Sequence, residues 1–209
     1  MRYVTQSRWW RSRYPSWSAP VLGDALERDF GRVLWSRGRF TVHRRAPWLL
    51  AAIGGDDALL VIAGVTVHQA ALIVPVLIAT SWAFLVAPGG HEFVHAFVAR
   101  RRGYTIVRFG LTGGGAFVAV NPPDGSSRPA DAVAILLAGP LADLAWGVAL
   151  VLAAAGGKHR RSLVTFLVVA GGLQAANGLA NLAPLARTDG HRTRVALAFA
   201  RQPRHPLTD

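Results

Sequence analysis

The sequence predicts an all-α polytopic membrane protein of three to four transmembrane helices with a short β-hairpin-like insert. Three observations carry this. Of 209 residues, 52% are apolar and 16% charged, against about 25% charged in an ordinary soluble domain, and mean hydropathy is +0.31. Residues 58–87 carry no formal charge, and 132–155 and 163–185 are two further apolar runs, the first interrupted by Asp143. Between the first run and the others, residues 103–130 are polar and rich in Gly and Pro.

The chain divides into a basic, Trp/Arg-rich segment at 1–45, a transmembrane core at 46–195 and a tail at 196–209. In the first segment Leu22, Leu26, Phe30, Val33 and Leu34 recur at helical spacing between Val21 and Trp35. That spacing fits an amphipathic helix on an anionic membrane surface as well as it fits a solvated basic tail. As a single helix, 58–87 would span roughly 45 Å, longer than the roughly 30 Å hydrocarbon layer. A first span over about 58–74 and a second over about 76–100, meeting near Val74-Pro75, is therefore expected. Tyr104–Phe109 and Ala116–Val120 read as short strands around a glycine run. The last two spans follow, separated by Lys158-His159-Arg160-Arg161.

Charge sets the expected orientation. The net charge of +12 comes from 23 Lys+Arg against 11 Asp+Glu. With the amino terminus in the cytoplasm, Arg100–Arg102, the 103–130 loop and Arg192 and Arg194 all fall inside, leaving only Lys158–Arg161 outside. The positive-inside rule favours this topology in a multi-pass plasma-membrane protein. Most of the basic excess is thus assigned to a lipid bilayer, and no nucleic acid is expected as a partner.

There are no cysteines, so any metal must be held by His, Asp or Glu. His91-Glu92-Phe93-Val94-His95 is H-E-x-x-H. Residues four apart on a helix share a face with Cβ atoms about 6 Å apart, and two such imidazoles can reach one zinc at about 2.1 Å. Glu92 projects beside the metal, where it can take a proton from water as general base. Ionisable groups in an apolar span are costly and functional by default. One zinc per chain is expected, and zinc needs a third protein ligand. Asp189 is the leading candidate, because Pro184 and Gly190 let the chain turn it back toward the bundle. Asp143 competes, and His68 and His191 are weaker. Gln174, Asn177 and Asn181 share one face of the last span. They are expected to line a polar cavity and bind substrate backbone, although interhelical polar contacts account for them equally well. Pro88-Gly89-Gly90 should break or kink the helix just before His91.

Two motifs resemble the site-2 protease family of intramembrane zinc metalloproteases. HEFVHAFVARRRG looks like the family's HExxH with its apolar helix end, and NLAPLARTDG matches N-x-x-P-x-x-x-x-D-G at every spacing. Ala138-Gly139-Pro140-Leu141-Ala142-Asp143 is similar to an A-G-P-x-x-N stretch of the family, with Asp143 in place of asparagine, and Val94 stands where the family often has glycine. The likeness covers about residues 76–195. It implies His91, His95 and Asp189 as zinc ligands and Glu92 as base. It further implies cleavage of a transmembrane or membrane-proximal segment of a membrane protein substrate. The competing expectation is a catalytically silent protein of the same fold that binds a partner.

Overall fold

The computed structural model describes residues 2–3, 33–48, 51–52, 54–55, 58, 61, 70–112, 115–123, 128–185 and 188–200. The elements run β1 (Arg2–Tyr3), β2 (Val33–Arg37), β3 (Phe40–His43), α1 (Ala70–Ser81), a π-helical segment (Trp82–Val86), α2 (Ala87–Arg101), β4 (Thr105–Thr112), β5 (Gly115–Asn121), α3 (Pro129–Gly156), α4 (Arg161–Leu182) and α5 (Asp189–Ala200). The expected helical class with a β insert is what the chain forms.

Among the described residues, three helices are long and apolar enough to cross a membrane: Ala71–Arg101, Pro129–Gly156 and Arg161–Leu182. The first takes in the expected second span at about 76–100, begins before it and runs straight through Pro75 instead of breaking there. The expected first span at 58–74 lies largely outside the described residues. Nor does Pro88-Gly89-Gly90 break the helix. Proline lacks an N–H and its ring collides with the carbonyl four residues back. Here the turn ahead of it widens instead: Trp82–Val86 is π-helical, and the Ala87 N–H reaches the Trp82 carbonyl, five residues back. Pro88 then occupies the opening turn of α2, where a missing N–H costs least. Such π-segments are frequent at functional sites.

The insert is larger than one hairpin. The sheet order is β1-β5-β4-β3-β2. The expected strands at 104–109 and 116–120 form the antiparallel β4–β5 pair, from Thr105↔Asn121 to Thr112↔Gly115. A second hairpin, β2–β3, turns at Gly38 with φ +59 and joins β4 in parallel through β3. Val33–Trp35 are therefore strand, which corrects the helical reading there; residues 21–32 lie outside the described residues.

A buried cluster of Ala96, Ala99, Tyr104, Val118, Val120 and Ile135 locks the last turns of α2 to β5 and α3. On the other side of α3, small residues bring α4 close. A Cβ at Gly147 would lie 2.5 Å from the Ala175 nitrogen, and one at Gly178 would lie 2.7 Å from the Pro140 carbonyl oxygen. Backbone approach through such residues is the usual way apolar helices associate where no hydrophobic drive separates them from lipid. It brings the polar residues of α4 within hydrogen-bonding reach of α3.

Candidate metal centre

His91, Glu92 and His95 lie in the second and third turns of α2 and are buried. His91 and Glu92 are 7% exposed and His95 is fully enclosed. The donor atoms of all three fall within 4.8 Å of one another, a group that could hold a metal ion. Asp189 arrives from the opening turn of α5. Thr188 sets that turn: its Oγ1 accepts the His191 N–H at 3.2 Å, an N-cap bond, and donates to the Leu185 carbonyl at 2.8 Å. Gly190 allows it, because a Cβ there would run into the Leu182 carbonyl at the end of α4.

Three atoms converge. Asp189 Oδ2 is 3.1 Å from His91 Nε2 and 3.2 Å from His95 Nε2, and the two nitrogens are 2.9 Å apart. The far side of each ring explains the convergence. His95 Nδ1 faces the Ile135 carbonyl at 2.5 Å, and His91 Nδ1 faces Asp143 Oδ2 at 2.7 Å. Both partners can only accept, so each Nδ1 carries the hydrogen and each Nε2 presents a lone pair. Two lone pairs and a carboxylate oxygen at such distances repel unless a cation sits among them. Ligand atoms of tetrahedral zinc, at about 2.0–2.1 Å from the metal, lie about 3.3 Å apart, so the observed triangle fits a zinc tripod with slight contraction.

Space fits as well. The backbone of α3 faces this triangle at Gly139, where a Cβ would lie 2.6 Å from His91 Nε2 and would also collide with His95 Nε2. Gly139 therefore leaves open a cradle bordered by both donor nitrogens.

The charge of Asp189 is well supported. Its outer oxygen, Oδ1, accepts from Arg192 Nη1 at 3.1 Å. The α5 amino terminus adds the positive end of the helix dipole.

His91, His95 and Asp189 come together, with Glu92 adjoining. Asp143, the competing third ligand, contacts Nδ1 of His91 and not the convergent Nε2 atoms. His191 is exposed, and His68 lies outside the described residues. Gln174 and Asn177 both direct their amides to Asp143, at 3.4 and 2.7 Å, and Asn181 donates to Asn177 Oδ1 at 3.3 Å. Sequence reasoning missed Arg192, Gly139 and the Ile135 carbonyl. Gly139 and Asp143 had a readable signal: four residues apart, they share one face of α3, so one helix face meets both sides of His91.

No family model matches the chain, and no curated protein matches it. Among solved structures, a site-2 protease from Methanocaldococcus jannaschii superposes with a TM-score of 0.55 and 21% sequence identity, over 83% of this chain and 74% of that one. At that identity the likeness is one of fold alone.

Proposed function

We propose that this protein is an intramembrane zinc metalloendopeptidase that hydrolyses peptide bonds in or near transmembrane segments of a membrane protein substrate. One observation carries the reading. His91 Nε2, His95 Nε2 and Asp189 Oδ2 form a buried triangle with edges of 2.9–3.2 Å, its two histidines on a helix long enough to span a bilayer and its carboxylate on α5. His91 lies ten residues before Arg101, about 15 Å along the helix axis, which supports a site within the apolar part of that helix rather than at its basic end. Ionisable groups in an apolar span are costly and mark functional sites by default.

The chemistry that zinc supplies in such a site is Lewis acidity, which brings the pKa of water to about 7. Glu92 adjoins the donor atoms, accepts the proton of the attacking water and passes it to the leaving amide nitrogen. A helical substrate has its carbonyls internally bonded and must first be drawn out locally. The sheet offers a template for the extended strand. β4 is paired on both sides, so that role falls to the outer side of β5, where among the described residues β1 pairs with Ala119 and Val120. The silent-partner reading anticipated a spoiled helix at Pro88–Gly90, and the continuous backbone there does not favour it.

The test uses detergent-purified protein and a fluorogenic transmembrane peptide. Wild type should carry close to one zinc and cleave. Glu92→Gln should keep its zinc and lose about 10²–10⁴-fold in rate, the usual worth of a general base. Folded wild-type protein without affinity for zinc, or a Glu92→Gln variant as active as wild type, overturns the reading.

A further inference from the structure

The buried carboxylate of Asp143 has no part in the ligand triangle, yet α4 spends two side chains on it. Asp143 is 1% exposed. Its Oδ2 accepts from His91 Nδ1 and from Asn177 Nδ2, both at 2.7 Å, and its Oδ1 accepts from Gln174 Nε2 at 3.4 Å. Gln174 is in turn tied to the π-helical segment, since its Oε1 accepts the Trp82 indole N–H at 3.4 Å. A buried carboxylate in a membrane-length bundle is expensive unless it is multiply hydrogen-bonded. These donors, from α2 and α4, meet that cost, and the π-helical segment steadies one of them through Trp82.

We propose that Asp143 is a positioning residue. Held by Gln174 and Asn177, it fixes the His91 ring and its Nδ1–H tautomer, so that Nε2 faces Asp189 and His95. This rests on the metallopeptidase reading and reassigns Gln174 and Asn177 from substrate contact to support of a ligand. An acceptor on the far nitrogen orients a ligating imidazole and raises its basicity. The carboxylate does this more strongly than a neutral amide, because charge-assisted hydrogen bonds are about twice as strong as neutral ones. Asn181 reaches only Asn177 and stands one step further out.

Zinc affinity of the purified full chain, measured by chelator competition, tests the proposal alongside the thermal midpoint of the metal-free form. Asp143→Leu should weaken zinc binding about 10–100-fold, the usual cost of losing such a partner, and Asp143→Asn should restore part of the loss. Asn177→Leu should weaken binding by a smaller factor, and that factor should vanish in the Asp143→Leu background. A residue that merely packs would lower the thermal midpoint in both backgrounds and leave the zinc constant in place. Wild-type zinc affinity in Asp143→Leu, or an Asn177→Leu effect that persists undiminished without Asp143, overturns the proposal. Wild type that binds no zinc overturns instead the metallopeptidase reading on which it rests.

Discussion

Gly139→Ala adds one methyl to α3 at the point where that helix faces both donor nitrogens. The new carbon would lie 2.6 Å from His91 Nε2 and 2.8 Å from His91 Cδ2, and would press on His95 Nε2 as well. Ordinary contact needs about 3.5 Å, so roughly 0.9 Å must be found. A metal site tolerates only about 0.2 Å of error in its ligand distances. The rings have little room to retreat, since Asp143 and the Ile135 carbonyl hold their far sides. Zinc affinity should therefore fall at least 100-fold. Folding stability should change less: overpacking costs about 1–3 kcal/mol, and replacing a helical glycine by alanine returns up to about 1 kcal/mol. The assay is elemental zinc per chain with chelator competition, run beside Gly172→Ala, where a Cβ meets nothing within 4 Å. The control should bind zinc as wild type does. A Gly139→Ala protein with full zinc and an unchanged dissociation constant would refute the inferred placement of the donor atoms.

Gly190→Ala should also lower zinc affinity, because a Cβ there collides with the Leu182 carbonyl and lies 2.7 Å from that of Ala183, forcing the turn that presents Asp189 to move; chelator competition reads this directly. Arg192→Gln removes the partner of Asp189 Oδ1 but leaves Oδ2 in place. Since Arg192 is partly exposed to solvent, the loss should be only a few-fold in zinc affinity, with cleavage retained. A 100-fold loss would give Arg192 a larger role than its contact supports.

The parts of the site that sequence made legible are those set by local spacing. His91 and His95 share a face because they are four residues apart, and Asp189 is turned inward by a proline and a glycine close on either side. What sequence hid depends on distant partners. Pro88-Gly89-Gly90 reads as a helix breaker, yet a five-residue π-segment absorbs the misfit and the helix continues. In 33–43 the helical spacing of Val33 and Leu34 competed with a strand signal, Val-Leu-Trp before Gly38 and Phe-Thr-Val after it, and pairing with β4 decided for strands. The polar face of α4 was readable as a face, but not its target. Small residues at Gly147, Gly171 and Gly178 bring α4 against α3, and that approach turns Gln174 and Asn177 to Asp143.

The zinc K-edge spectrum of purified wild type and of Asp189→Ala tests the central geometry most directly. The expected wild-type spectrum shows one zinc per chain with two imidazoles and light-atom distances of about 2.0–2.2 Å, and the variant should lose zinc affinity or show an altered oxygen shell. Folded wild-type protein that takes up no zinc, or a spectrum and affinity that Asp189→Ala leaves untouched, would contradict it.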